Sequence, residues 1–320
     1  MSSLEPKHPA VRLAVRIAVV VLVVGSLAGA IVAESGRIAS IDWRFSPGWL
    51  GLCLLSLLAF QLLHIEIWRL MLRSLGGQIE PRRARAIWSA TLLARYVPTS
   101  MLMAVGRVAL SEREGVSKRV TLASVVYEFA LTFITALALA VYLVLKLDWF
   151  DAHQFVRYLA IALPVAGLVC LHPAIFHRVA DFIFKRMGRD PLPLSLGFGR
   201  VLEFAAMYIV SFIVAGCSVL AMAHALHPLG AGDSAAAIAS YGLGYVAGVL
   251  AFVIPGSLGA REAGVALGLS AVLPGAVAVA VAIAVRLLQM GVEVLYAVVT
   301  PLIARRGRAR SAAGTRPASA

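Results

Sequence analysis

The stretch AVAVAVAIAVRLLQMGVEVLYAVVTPLI, residues 276–303, is almost wholly apolar and is long enough to cross a lipid bilayer as one helix. It carries Arg286, Gln289 and Glu293, whose helical spacing puts them on one face. A charge at the centre of a membrane helix costs about 2.5–3.5 kcal/mol on insertion scales. We therefore expect this polar face to point into a helix bundle, where either a structural salt bridge or a substrate pathway would use it.

The rest of the chain has the same apolar character. Of its 320 residues, 61% are hydrophobic and 14% are charged, whereas soluble domains are about 45–50% apolar and about 25% charged. The net charge of +13 does not indicate nucleic-acid binding, because that function needs basic residues on a solvated face. Composition thus predicts a polytopic membrane protein and excludes a water-soluble enzyme and a disordered chain.

Apolar runs recur along the chain and predict an all-α polytopic membrane protein with about eight transmembrane helices. The runs lie at about 11–32, 48–70, 120–145, 155–172, 200–226, 235–254, 256–272 and 276–303. The seventh run is the shortest and is rich in glycine. The first run resembles a signal peptide in part, but its length and the many spans that follow favour an uncleaved helix.

The placement of lysine and arginine predicts the orientation of these helices. With the N-terminus inside, 24 of the 29 basic residues fall in inner segments and four fall in outer ones. The arginine-rich tail stays inside only if 256–272 crosses the membrane. We therefore expect a cell-membrane protein with both termini in the cytoplasm. It would consist of one membrane domain, 1–303, and a disordered basic cytoplasmic tail, 304–320.

The longest segment between spans, 80–118, has an unusual composition. Pro98 separates two apolar pieces that are each too short to cross a bilayer. Such a pair fits a re-entrant hairpin that enters from the cytoplasmic side, with its backbone shielded by other helices. An amphipathic helix lying on the inner leaflet would explain the same sequence.

A second interruption lies in the segment at about 254–273. The helix-breaking residues Pro255, Gly256 and Gly259 come just before Arg261 and Glu262. Paired breaks in two halves of a transporter point to its binding site, and the freed N-terminus of a half-helix suits an anionic headgroup. A tight turn between two spans, with its charges at the water interface, is the alternative. The pattern alone leaves both interpretations open.

Further residues predict contacts within the bundle. Glu128 lies about two turns into the span that follows 80–118. Glu66 and Arg69 are three residues apart near the inner end of the second span, so we expect them to pair with each other. The glycine pairs at 244/248 and 264/268 have the spacing that allows close helix contact.

Two sets of these residues resemble a known family. The first set is Arg95-Tyr96-Val97-Pro98, Gly106-Arg107 and Gly115-Val116-Ser117, followed by the span with Glu128. It is similar to the first half of the lysylphosphatidylglycerol synthase transmembrane-region family, which is also described as flippase-like. The second set, Pro255 to Ala263 and the last span, is similar to its second half. Thr99 stands where the family usually has glycine.

The resemblance, which covers about residues 10–303, implies a helical bundle with re-entrant helices that shape a lipid cavity. In the best-understood members, this region moves an aminoacylated phospholipid between leaflets. The resemblance implies that six residues bind lipid around the cavity: Arg107, Glu128, Arg261, Glu262, Arg286 and Glu293. Since no soluble synthase domain follows in the sequence, we expect a stand-alone member that does not attach amino acids to lipids.

The leading functional prediction is therefore a translocator of a phospholipid or lipid-linked intermediate. Arg261 and Arg286 would hold the anionic headgroup, while Glu262 and Glu293 would balance charge or accept a cationic group of the lipid. Besides this lipid, the expected partners are anionic lipids of the inner leaflet and a second copy of the chain.

Two other function classes compete with translocation. The chain could be a non-catalytic membrane partner that docks a lipid-modifying enzyme or glycosyltransferase on its basic inner face. A membrane-embedded lipid enzyme is less favoured, because the sequence lacks an Asp-rich motif, a nucleophile elbow and a His–carboxylate dyad. We expect no catalytic residue, metal site, cofactor or nucleic-acid partner. The three cysteines lie in separate apolar runs and show no metal-site spacing.

Overall fold

The computed structural model describes residues 46–96, 101–147, 153–176, 196–251 and 259–314, and the single positions 151, 178 and 186. Within these ranges the chain forms helices and no strand, which confirms an all-α fold. The predicted first span and the break residues Pro98, Pro255 and Gly256 lie outside the described residues.

The described residues include nine α-helices of ten residues or more. They are α1 (Pro47–Ser74), α2 (Pro81–Leu92), α3 (Met101–Glu112), α4 (Lys118–Lys146), α5 (Gln154–Cys170), α6 (Phe198–Leu226), α7 (Ser234–Leu250), α8 (Ala260–Leu269) and α9 (Gly275–Gly314). Short 3₁₀ turns at Leu93–Tyr96 and Ala231–Asp233 follow α2 and precede α7.

Four described helices are long and apolar enough to cross a membrane: α1, α4, α6 and the first part of α9, Gly275–Thr300. Two shorter apolar helices, α5 and α7, have 17 residues each. Large apolar side chains such as Leu55, Val165 and Leu295 are more than half exposed, as expected of a surface that faces lipid. A membrane protein is thus confirmed, but the described residues do not confirm eight spans, since α8 has only 10 residues.

Ring contacts show how α1 and α6 run relative to each other. Trp49, near the start of α1, stacks on His224, near the end of α6, with ring centroids 4.5 Å apart. Further along, the rings of His64 and Tyr208 lie 5.3 Å apart. The two helices are therefore antiparallel, as the predicted alternation of spans requires.

Glycines let α7 approach three other helices at backbone distance. A Cβ atom added at Gly216 of α6 would lie 2.5 Å from a carbonyl oxygen of α7. A Cβ at Gly242 of α7 would lie 2.7 Å from a carbonyl oxygen of α4. On α8, a Cβ at Gly264 would lie 2.8 Å from the Cα of Gly244. The close contact expected from the glycine spacing is confirmed for Gly244, Gly264 and Gly268, the last of which lies against Ser240.

The segment 80–118 forms two helices of 12 residues, α2 and α3, around the predicted break. Pro81 stands at the start of α2, where a missing amide hydrogen costs nothing. Trp88 and Leu92 of α2 are buried, so this segment packs into the bundle through one side of α2. Its two short pieces are as expected, while its depth in the bilayer stays a prediction.

The second break ends at Gly259, which has a φ of 83° and precedes α8. Glycine adopts this left-handed conformation without the steric cost that other residues have. From there α8 runs antiparallel to α7, since Gly264 lies beside Gly244 and Gly268 beside Ser240. A turn at 270–274 then leads into α9.

The last helix continues further than the sequence analysis predicts. We expect a disordered tail from residue 304, whereas α9 runs to Gly314. Alanine and arginine, which dominate this stretch, are both strong helix formers, so the local sequence can continue a helix that has already formed. Residues 315–320 lie outside the described part.

Gly264→Ala should destabilise the protein by about 1–3 kcal/mol, because the new methyl group must push α8 away from α7. The matched control is Gly51→Ala in α1, where a Cβ meets nothing within 4 Å. That change should be neutral or stabilise by up to about 1 kcal/mol through helix propensity. Unfolding midpoints in detergent measure both, and equal midpoints would contradict the close packing of α7 on α8.

Candidate functional site

The first charge cluster consists of Arg107 on α3 and Glu128 on α4, which form an ion pair. Arg107 is 0% exposed. Its guanidinium carbon lies 3.8 Å from the ring centroid of Trp88 and 5.2 Å from that of Trp68. Such cation–π contacts strengthen when the cation is removed from water. One carboxylate and two indole rings thus surround this arginine.

Local structure sets the depth of this cluster. Gly115, with a φ of 84°, allows the tight turn between α3 and α4. The Ser117 side chain then caps α4 by accepting a hydrogen bond from the amide of Val120 at 3.3 Å. Glu128 lies ten residues beyond the start of α4, about 15 Å along its axis. In a helix of 29 residues, this places Glu128 well inside the bundle.

The second charge cluster consists of Arg261, Glu262, Arg286 and Glu293. Its ion pair joins α8 to α9, with the Nε of Arg286 3.1 Å from the Oε1 of Glu262. The other oxygen of Glu262 accepts a hydrogen bond from the amide of Gly259 at 2.7 Å. Glu262 therefore caps the start of α8 and binds a residue of α9 at the same time. Arg286 lies about three turns, or about 16 Å, from the start of α9.

The polar face predicted for α9 is present. Gln289 donates a hydrogen bond to Glu293 at 3.0 Å. It also accepts one from the hydroxyl of Tyr241 on α7, at 3.5 Å. Arg286 is 6% exposed and Glu293 is 1% exposed, so both lie in the bundle interior. The face is therefore in contact with α7 and α8 rather than with lipid.

Arg261 lies against aromatic rings of α7. Its guanidinium carbon is 4.9 Å from the ring centroid of Tyr241 and 5.9 Å from that of Tyr245. Tyr241 and Tyr245 are four residues apart and so lie on the same side of α7. This pair of rings provides a cation-binding surface inside the bundle.

The side chains of the second charge cluster close around a small gap. Its volume is about 10 Å³, and it is lined by Tyr241, Arg261, Glu262, Val265, Ala282, Val285, Arg286 and Gln289. A gap of this size holds about one water molecule. A lipid headgroup is larger than a gap of this size.

The six predicted lipid-binding residues form two clusters rather than one. A bridge between α7 and α4 connects them, in which the hydroxyls of Tyr245 and Thr132 lie 3.1 Å apart. Thr132 also donates a hydrogen bond to the backbone carbonyl of Glu128 at 2.7 Å. The clusters are thus linked through one tyrosine, and the lipid-binding role of the six residues stays a prediction.

Sequence reasoning missed the aromatic residues that contact the arginines. Trp68, Trp88, Tyr241 and Tyr245 look like ordinary apolar-span residues until helix rotation is known. His64 lies close to the end of an apolar run in the sequence, and its ring is buried against those of Phe60 and Tyr208. Phe60 lies four residues before His64 and therefore on the same helix face, and this spacing was the signal in the sequence for a ring contact.

Two further pairs lie closer to water. Glu66 accepts a hydrogen bond from the Nε of Arg69 at 2.9 Å, which confirms the predicted pair. Arg83 of α2 forms an ion pair with Glu114 in the turn after α3. The hydrogen bond to this carboxylate raises the pKa of Arg83. Among the described residues, no group of three His, Cys, Asp or Glu side chains could hold a metal ion.

Arg107→Gln should lower the free energy of unfolding by about 3–5 kcal/mol, because it leaves the Glu128 carboxylate without its buried ion-pair partner. The double variant Arg107→Gln/Glu128→Gln should regain part of this loss. Arg69→Gln, which removes a partly exposed pair, should cost only about 0–1 kcal/mol. Unfolding in detergent measures these three variants and the single variant Glu128→Gln, which completes the double-mutant cycle. Strictly additive effects of the Arg107 and Glu128 changes would show that the pair does not form.

Comparison with known proteins gives one family. The family model of the lysylphosphatidylglycerol synthase TM region matches residues 11–297, which is most of the chain. No curated protein and no solved structure matches the chain.

Proposed function

Because the chain belongs to the lysylphosphatidylglycerol synthase transmembrane-region family, we propose that it translocates a lipid between membrane leaflets. The lipid would be a phospholipid or a lipid-linked intermediate. The family is a membrane region rather than a catalytic domain by itself, so the proposed activity is transport without covalent chemistry.

The observation that carries the proposal is the second charge cluster, which lies where the short helix α8 meets the long helix α9. Arg286, Glu262 and Glu293 are held about midway along an apolar helix bundle, at the start of the ten-residue helix α8. Ionisable groups at this depth mark substrate pathways in membrane proteins. Discontinuous helices with charged ends form the binding sites of many transporters.

The arrangement of the two clusters supports alternating access. In each, a short helix and the long helix that follows form a hairpin with an ion pair between them: α3 with α4, and α8 with α9. Gly242 of α7 lies beside Ala136 of α4 and Tyr245 beside Thr132, so α7 runs antiparallel to α4 as it does to α8. Because α9 runs back along α8, the two hairpins point in opposite directions. Inverted repeats of this type let a transporter open to either side around one site.

We further propose a cell-membrane location with both termini in the cytoplasm. The distribution of the 29 basic residues supports this orientation. The lipid substrate and anionic lipids of the inner leaflet would then be the direct partners, and a second copy of the chain is a further candidate.

The competing proposal is a membrane partner of a lipid-modifying enzyme or glycosyltransferase. The exposed arginines of α2, such as Arg83, give this idea a possible docking face on the predicted inner side. Recovery of such an enzyme in stoichiometric amount from gently solubilised membranes would favour it over transport.

Leaflet exchange in liposomes tests the main proposal. Wild-type protein should accelerate exchange of a fluorescent phospholipid, and Arg286→Gln should slow it about tenfold or more, which corresponds to 1.4 kcal/mol or more in the barrier. Arg200→Gln is the matched control, because Arg200 lies on the surface of α6 in a pair with Glu203. Equal exchange by wild type, Arg286→Gln and protein-free liposomes would overturn the proposal.

A further inference from the structure

The charges of the site point to one class of lipid headgroup. We propose that the site accepts a zwitterionic headgroup with one phosphate and one ammonium group, in preference to a net anionic or net cationic one. This inference rests on the proposed lipid translocation and names the substrate class.

Positive and negative side chains are equally numerous in the two clusters. Together they contain three arginines and three glutamates, and the second charge cluster alone contains two of each. The neighbouring residues that the structure does not describe, 97–100 and 252–258, include no charged side chain. The two clusters therefore contain equal numbers of basic and acidic side chains.

The charged residues of both clusters lie in an apolar environment. Arg107 and Glu293 are almost fully buried, and the surrounding bundle is apolar. An added net charge in such a medium has no solvent to stabilise it, so it must be matched by a charge already present. A zwitterion adds a positive and a negative group together and leaves the balance unchanged. A headgroup with a net charge of either sign would leave one charge unmatched.

The site offers one surface for the phosphate and one for the ammonium of the headgroup. Arg261 and Arg286 can bind phosphate, because guanidinium groups donate hydrogen bonds in a geometry that suits phosphate oxygens. The rings of Tyr241 and Tyr245 already hold a cation, the guanidinium of Arg261. When Arg261 turns to a phosphate, a headgroup ammonium can replace it over these rings, with Glu293 as a carboxylate on the same polar face.

Native mass spectrometry of the full chain in detergent tests this inference. The probes are phosphatidylethanolamine, phosphatidylglycerol and lysylphosphatidylglycerol with identical acyl chains, offered in equal amounts. We expect wild type to retain phosphatidylethanolamine about tenfold more than either of the others. Equal retention, or preference for a charged lipid, overturns the inference.

Two variants change the balance in opposite directions. Glu293→Gln makes the second charge cluster net positive and should shift the preference to phosphatidylglycerol. Arg286→Gln makes it net negative and should shift the preference to lysylphosphatidylglycerol. Glu203→Gln, at an exposed position of α6, is the control and should keep the wild-type preference. Unchanged preference in folded Glu293→Gln protein contradicts the proposed charge matching.

The outcome remains decisive if a variant fails to fold, because the wild-type selectivity tests the inference by itself. The liposome assay separates this inference from the proposed function. Selective binding without leaflet exchange would contradict translocation and keep the headgroup class. Exchange of all three lipids at equal rates, without selective binding, would support translocation and contradict the proposed headgroup class.

Discussion

The backbone contacts of α7 position the rest of the interior. This helix meets α4, α6 and α8 at distances that a Cβ atom would not permit, through Gly242, Gly216 and Gly264. Since membrane helices gain little from the hydrophobic effect between them, such close packing is a main source of their association. It also sets the positions of Tyr241 and Tyr245, which contact the second charge cluster and, through Thr132, lead to the first. A shift of α7 would therefore alter both clusters.

The two ion pairs follow one design with reversed polarity. On α3 and α4, the short helix carries the arginine and the long helix the glutamate; on α8 and α9, the assignment is the opposite. Each pair costs free energy to bury, but losing one partner costs more, because an isolated charge would remain. The short helices are thus held against the long ones by electrostatics as well as by packing. Movement of either short helix requires another group to take over the exposed charge.

Sequence predicted those features that depend on spacing within one helix. The polar face of α9, the Glu66–Arg69 pair and the glycine contacts all follow from helical periodicity and were confirmed. Most side-chain contacts between helices could not be predicted, because they depend on the rotation and depth of each helix, which no local sequence pattern specifies. The six charged residues could be named from the sequence and its family resemblance. Their division into two clusters could not be predicted, and neither could the indole and phenol rings around the arginines. The continuation of α9 to Gly314 shows a related difficulty, since composition describes a tail without reference to the helix before it.

Glu262 has a consequence that reaches beyond charge pairing. One of its oxygens holds the first turn of α8 through Gly259, and the other holds Arg286. Any ligand that draws Arg286 away changes how firmly this carboxylate holds the helix start. By thermodynamic reciprocity, fraying of that turn must change the affinity of Arg286 for the ligand by the same factor. A ligand bound at Arg286 would therefore be coupled to the helix start at Gly259 through one carboxylate.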